Sequence, residues 1–137
     1  MIPFAEYSGE TDEEGLPHGY GEAVYPDGTT YTGSFAHGEY AGQGVLADEE
    51  GPIYDGEWLN GKRNGKGMEF DMHGYISYSG EWRNDEKHGY GSEYIGGAIV
   101  YEGEFSDGKA NGYGKSFDYE GEILYEGLWK DDNPVGS

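Results

Sequence analysis

The sequence predicts an all-β protein whose hairpins follow one another in an elongated, single-layer antiparallel sheet. Tyrosines recur at intervals of 23 or 24 residues, and each is followed by glycine at a fixed offset. Helical periodicity is absent from a chain with 27 glycines, and an interior glycine costs a helix roughly 1 kcal/mol relative to alanine. The recurring tyrosines are Tyr7, Tyr31, Tyr54, Tyr78, Tyr101 and Tyr125.

Each unit is predicted to form one β-hairpin, and the third unit, YDGEWLNGKRNGKG at residues 54–67, shows the pattern most completely. Its first strand alternates Tyr54, glycine and Trp58 with acidic residues, a period of two that is typical of a strand. Asn60-Gly61 then supplies turn chemistry, and a Gly-x-Gly opens the return strand. With strands about 4.8 Å apart, five and a half such units make a ribbon about 50–55 Å long.

The pattern Tyr-x-Gly-Glu-Trp, turn, Asn-Gly-x-Gly resembles the MORN (membrane occupation and recognition nexus) repeat family. The resemblance covers about residues 7–136, with about 5.5 repeats of 23–24 residues. The chain departs from the pattern at Thr11, which replaces the aromatic residue, and at Asp85 and Asp132, which replace turn glycines. We expect one domain over residues 1–137, with repeats starting near the six tyrosines and a partial sixth repeat from Tyr125 that stops at Ser137. Because of these departures, the sequence does not decide whether the first and last units form full hairpins.

Charge and composition exclude several classes of function. The net charge is −20, and residues 1–61 hold 13 Asp and Glu but no Lys or Arg. Nucleic acid and anionic membranes are therefore not expected as partners, since both need basic side chains to neutralise phosphate. The sequence has no long apolar run and no basic, apolar N-terminal segment, so neither a membrane span nor a secretory signal is expected. The absence of cysteine fits a reducing, cytoplasmic setting.

No motif in the sequence predicts an enzyme, a cofactor or a metal site. The Gly-x-Gly pairs never extend to Gly-x-Gly-x-x-Gly, and no helix follows them to bind phosphate. The four histidines fall at turns or beside glycine doublets, where no two are spaced as ligands on one strand face. The acidic clusters lack calcium-loop spacing, although a weak cation site stays open there. No Ser, His and Asp set can be assigned.

Two sets of residues are candidates for partner binding. One is an aromatic face that we predict to be the core of the sheet and, in addition, a groove for a partner. The other is acidic and is predicted to keep the strands soluble or to steer a basic partner towards that groove. The aromatic set is Tyr31, Phe35, Tyr54, Trp58, Tyr78, Trp82, Tyr101 and Phe105, and the acidic set is Glu57, Glu81, Glu102 and Glu104.

The resemblance implies a non-enzymatic scaffold that binds a peptide or helical segment of a partner protein, and the acidic charge favours a basic segment. It also implies two alternatives: a membrane-recruitment module that binds phospholipids, and a structural component of a ciliary or cytoskeletal assembly. The expected location is the cytoplasm, with the cytoskeleton or cilium as further settings. Pro134 disfavours open-ended strand addition, so a monomer or a homodimer is expected rather than a fibre.

Overall fold

A computed structural model describes residues 5–136 and shows one antiparallel sheet of twelve strands in chain order, which confirms the predicted fold class. Unit one consists of β1 and β2, and each later unit adds the next two strands. No helix is present between residues 5 and 136, so none of this part of the chain forms a helix that could cross a membrane. The strands are β1 (Glu6–Thr11), β2 (Pro17–Val24), β3 (Thr30–Ala36), β4 (Glu39–Asp48), β5 (Gly51–Leu59), β6 (Lys62–Phe70), β7 (Ile76–Arg83), β8 (Glu86–Ile95), β9 (Ala98–Ser106), β10 (Lys109–Phe117), β11 (Ile123–Lys130) and β12 (Asn133–Pro134).

The first and last units both form hairpins, although β12 has only two residues. Thr11 pairs with Pro17 at the turn end of unit one, where later units place an aromatic residue. The end of the sixth repeat at Ser137 lies outside the described residues.

The hairpin turns of units two to six place two successive residues in the left-handed region, as at Asn60 (φ 51°) and Gly61 (φ 79°). Asp85 and Asp132 take the place of this glycine with φ 70° each, because Asp tolerates left-handed backbone better than most residues. Their carboxylates also accept hydrogen bonds from the backbone N–H of Arg63 and Ala110, both at 2.8 Å. The two departures from the repeat therefore preserve the turn and add a contact to the preceding unit.

Every one of these turns is bound to the unit before it. The backbone N–H of the second turn residue donates to a carbonyl of that unit, for example Gly61 N to Tyr40 O at 3.0 Å and Gly38 N to Pro17 O at 2.7 Å. The N–H of the first turn residue often donates to a side chain of the preceding unit, as from Asn84 to Asn64 Oδ1 at 3.3 Å. Turns of successive units are thereby packed side by side along one long edge of the ribbon.

One glycine from each of β1 to β11 lies on a continuous line across the centre of the sheet. The register pairs each of these glycines with the next, as in Gly56 with Gly67 and Gly67 with Gly80. The tyrosine rings lie directly over this line: a Cβ on Gly67 would be 2.0 Å from the Tyr54 hydroxyl oxygen. Only glycine allows so close an approach, which explains the fixed spacing of tyrosine and glycine.

The aromatic residues form a single row of edge-to-face contacts along one face of the sheet, which we call the aromatic face. The Tyr54 ring lies 5.0 Å from the Trp58 ring in its own unit and 5.4 Å from Trp82 in the next, with interplanar angles of 81° and 88°. This alternation continues from Tyr7 to Trp129. Each unit therefore packs only against its neighbours, as in other repeat proteins.

Hydrogen bonds satisfy the polar ends of these rings. The hydroxyl of Tyr54 donates to the carbonyl of Glu57, three residues along the chain, at 3.1 Å. The indole Nε1–H of Trp58 donates to the carbonyl of Gly44 at 3.0 Å. The pairing of β5 with β6 is irregular just after Gly56, and that of β3 with β4 is irregular beside Gly44, which leaves these carbonyls to side-chain donors. The same tyrosine hydrogen bond is made by Tyr31, Tyr78, Tyr101 and Tyr125.

The close approach of Tyr54 to Gly67 predicts that Gly67→Ala destabilises the sheet by about 3 kcal/mol, because a buried ring cannot move away from the added methyl group. Chemical denaturation followed by tryptophan fluorescence measures the loss. Gly136→Ala is the matched control: its Cβ would lie 2.8 Å from the hydroxyl of the partly exposed Tyr125, which can shift, so we expect a cost below about 1 kcal/mol. Equal losses would contradict this account of the glycine line.

Candidate functional site

The eight aromatic residues predicted as a partner-binding face lie together, and their side chains are buried, with exposed fractions of 0 to 5%. Their predicted role as the core of the sheet follows directly from this burial. Since they expose so little surface, a partner on the aromatic face would mainly contact the side chains that lie over them.

Two side chains from the return strand lie over each buried tyrosine of units two to four, and we call them the covering pair. In unit two the pair is Tyr40 and Leu46, and the Tyr40 ring stacks on Tyr31 at 3.7 Å with an interplanar angle of 2°. In unit three the pair is Arg63 and Glu69, whose side chains form an ion pair at 3.2 Å. Sequence analysis did not single out these positions, because they fall outside the tyrosine and glycine columns.

The ionic covering pairs also shield the aromatic rings. The Arg63 guanidinium carbon lies 4.9 Å from the Trp82 ring centroid and 5.4 Å from that of Tyr54. In unit four Lys87 Nζ lies 5.1 Å from the Tyr78 ring and 2.7 Å from Glu93 Oε2. The covering pair is thus apolar in unit two and charged in units three and four.

A groove of about 680 Å³ crosses the aromatic face at unit two. It runs from Tyr25, in the loop between β2 and β3, to Arg63 and Asp85 at the turn edge, which is the long edge that carries the hairpin turns. Its walls and floor contain Tyr40, Leu46 and Trp58. The hydroxyls of Tyr25 and Tyr40 are hydrogen-bonded to each other across it. Burial raises the pKa of the Tyr40 hydroxyl, and the hydrogen bond with Tyr25 raises it further. The site is therefore an aromatic groove whose two tyrosine hydroxyls are already paired.

The predicted acidic set lies on the opposite face of the sheet, which we call the acidic face. Glu57 follows Gly56 and precedes Trp58, so the period of two points its side chain away from the aromatic row. Glu57 and Glu81 line one shallow depression of this face together with Lys66 and Tyr90. The period of two in the sequence places the aromatic and acidic sets on opposite sides of each strand, and in the structure the thickness of the sheet separates them.

Three of the four glutamates also have a structural role that the sequence did not predict. The Glu57 carboxylate accepts a hydrogen bond from the backbone N–H of Lys66 at 2.9 Å. Glu81 likewise accepts from the backbone N–H of Tyr90 at 2.9 Å, and Glu104 accepts from that of Tyr113 at 2.6 Å. The N–H lies beside a glycine with positive φ, Gly65 in unit three, where strand pairing is interrupted. Glu102 makes no such bond within residues 5–136.

A cluster of Asp12, His18 and His37 at the turn edge was missed by sequence analysis. His37 Nδ1 lies 2.8 Å from Asp12 Oδ2, and the two imidazole rings lie 4.4 Å apart. Hydrogen bonding from His37 lowers the pKa of the Asp12 carboxyl. The two histidines are 19 residues apart in the sequence, and only the docking of the unit-two turn on unit one brings them together. A search of single strands for ligand spacing could not find them.

The one-layer sheet of repeated hairpins, with its core on one face and an open groove above it, defines a β-hairpin repeat protein. A family model described as the MORN repeat matches residues 13–30, 31–51, 54–71, 78–96, 101–117 and 125–137. The chain therefore belongs to the MORN repeat family, which confirms the resemblance seen in the sequence. Repeats of this family are generally non-enzymatic modules for interaction with proteins or membranes. A comparison with curated proteins finds no match.

The hydrogen bond from Lys66 predicts that Glu57→Ala lowers the free energy of unfolding by about 1–2 kcal/mol, since a charged acceptor is lost. Denaturant titration measures the change. Glu102→Ala is the control, because it removes the same charge from the same strand type without a backbone hydrogen bond, and we expect a change within about 0.5 kcal/mol. Equal effects would show that only the charge matters.

The buried tyrosines predict cooperative alkaline unfolding. Burial raises the pKa of Tyr54 and Tyr101 to about 12 from an ordinary value of 10.0, and it also raises the pKa of Tyr31 and Tyr78. The folded state holds these protons more tightly, so this contribution to stability is complete below pH 10 and is lost as pH rises through about 12. The last phase of the rise in tyrosinate absorbance should coincide with the loss of the circular dichroism signal above pH 10, and ionisation of all the tyrosines in an intact sheet would contradict the prediction.

Proposed function

We propose that this protein is a non-enzymatic scaffold that binds a basic, amphipathic peptide or helical segment of a partner protein along its aromatic face. The observation that carries the proposal is the groove at unit two, where Tyr40 and Leu46 cover the core in place of an ion pair. Aromatic side chains with a polar tip are enriched where proteins meet, because they bury a large area and still satisfy a hydrogen bond.

The groove supplies an apolar anchor point on an otherwise polar surface. Tyr25, Tyr40 and Leu46 are partly exposed, and Trp58 forms the floor below them. One or two large apolar side chains of a partner would fill such a groove, as in complexes where a few central residues carry most of the binding energy. Farther along the ribbon, the Arg63–Glu69 and Lys87–Glu93 pairs provide a polar continuation.

The charge of the ribbon favours a basic segment. Both long edges beside the aromatic face are acidic: Asp27 and Asp85 flank the groove itself, and further carboxylates follow in the loops and turns. Lys and Arg on the polar side of a bound helix would face these edges. The acidic set Glu57, Glu81, Glu102 and Glu104 would act through the sheet, as part of a long-range field that accelerates encounter.

The experiment exchanges the covering pair of unit two for that of unit three. In the double variant Tyr40→Arg with Leu46→Glu, both new residues already occur at equivalent places in the fold, at Arg63 and Glu69. The probe is a synthetic amphipathic helix with Leu on one side and Lys on the other, and fluorescence anisotropy measures its affinity. We expect the double variant to weaken binding by at least about tenfold while the circular dichroism spectrum is retained.

Controls separate the groove from general charge attraction. Glu102→Gln on the acidic face should change the affinity by less than about twofold, and a probe with Glu in place of Lys should not bind. If the double variant binds the basic helix as well as the parent chain does, the groove is not the site. Vesicles with and without phosphoinositide test the membrane alternative, and salt-sensitive binding to the anionic vesicles would favour that alternative.

A further inference from the structure

We propose that Asp12, His18 and His37 form a binding site for a divalent transition-metal ion of the Zn²⁺ type. The site lies at the turn edge of units one and two, away from the groove, and it is independent of the proposed peptide binding. One potential ligand atom from each of the three residues lies within 4.8 Å of the others. Two imidazoles and a carboxylate are the donor set that zinc and its neighbours prefer.

The fold brings the three residues together from separate parts of the chain. Asp12 begins the loop after β1, His18 lies in β2, and His37 is the first residue of the turn between β3 and β4. The turn is held against unit one by two backbone donors: Gly38 N–H binds the carbonyl of Pro17, and His37 N–H binds His18 Nδ1. The relative positions of the donors are therefore fixed by the main chain of two units.

Asp12 and His37 are already near the separation that a shared metal ion requires. Their Oδ2 and Nδ1 atoms are 2.8 Å apart, and two ligands of a tetrahedral zinc ion lie roughly 3.3 Å apart when each bond is about 2.0 Å. The other oxygen of Asp12 accepts hydrogen bonds from the N–H groups of Glu14 and Leu16, which orient the carboxylate. An incoming ion would replace the proton that Asp12 and His37 share and would need little movement.

A histidine at position 18 provides more than the repeat requires. At the equivalent places in units three and five, Asn64 and Asn111 accept the turn N–H through a side-chain oxygen. His18 accepts the same hydrogen bond with Nδ1, and in the neutral ring its second nitrogen then carries the proton. Whichever nitrogen binds the metal, His18 Nδ1 stops accepting from His37 N–H, so one hydrogen bond is exchanged for a metal bond.

The surroundings fit a cation and offer further ligands. Glu13 and Glu14 line the same cavity and are exposed, so either carboxylate or a water molecule can complete four-coordination. The nearest Lys or Arg in the sequence is Lys62. The Asp48, Glu49 and Glu50 cluster is equally acidic, but within residues 5–136 only Asp12, His18 and His37 bring three such ligand atoms within 4.8 Å of one another, and their nitrogen donors distinguish zinc from calcium. A bound ion would tie unit one to unit two at the end where Thr11 leaves the aromatic row incomplete.

The test uses the full chain with zinc chloride in isothermal titration calorimetry and with Co²⁺ as a visible-spectrum probe. His18→Asn and His37→Asn remove one ligand each and install the residue that other units have at the same place: Asn64 for the former, and Asn60, with φ 51°, for the latter. His88→Asn is the matched control, because His88 occupies the position of His18 in unit four. Circular dichroism verifies the sheet in each variant.

The expected result is one saturable site in the parent chain that excess Mg²⁺ or Ca²⁺ does not displace. His18→Asn and His37→Asn should each weaken Zn²⁺ binding by at least about tenfold, and His88→Asn should leave it unchanged. Asp12→Asn, which keeps an acceptor for the N–H groups of Glu14 and Leu16, is a third ligand variant and should weaken Zn²⁺ binding as well. Absence of saturable Zn²⁺ binding, or binding that none of these variants weakens, would overturn the proposal and assign any bound zinc to surface carboxylates.

Discussion

The contact of a tyrosine ring with two glycines that face each other on neighbouring strands is the constraint on which this ribbon depends. A one-layer sheet has no second layer to bury its apolar face, so its large side chains must lie flat on its own backbone. Tyr54 does this because Gly56 and Gly67 carry no Cβ below it, and its hydroxyl satisfies a carbonyl that strand pairing leaves free. Repeated in each unit, this contact fixes the period, the irregular pairing beside the glycine line, and the edge-to-face row of rings.

Because the rings serve as the framework, variation in recognition falls on the residues above them. Tyr40 and Leu46 make an apolar cover, and Arg63 and Glu69 make a charged one over the same kind of core. The exchange alters the surface without a change in strand register or turn type. The two faces are likewise distinct: one carries the rings, and the other carries glutamates that complete the backbone hydrogen bonding next to left-handed glycines.

The sequence was sufficient to predict the fold, since the tyrosine and glycine columns report contacts within a unit or between adjacent strands. It also predicted the core residues. It did not predict the covering pairs or the histidine cluster, for two physical reasons. The covering pairs vary from unit to unit and so form no column, and His18 meets His37 only through the docking of one turn on another unit. Contacts between units depend on which residues face each other across neighbouring strands, and the repeat period alone does not name those residues.

The hydrogen bonds that join each turn to the preceding unit give the ribbon a direction. In the bonds between backbone groups the donor is the later unit, as in Gly61 N–H to Tyr40 O, and the acceptor is the earlier one. An internal repeat therefore presents turn N–H donors to the unit before it and carbonyl acceptors to the unit after it, even though the sheet is antiparallel. Inserting or deleting one whole unit would still place each turn donor beside a carbonyl acceptor of the preceding unit, whereas joining two donor sides would leave the donors without acceptors. The array can thus change its length in complete units while the edge that carries the histidine cluster keeps its alignment.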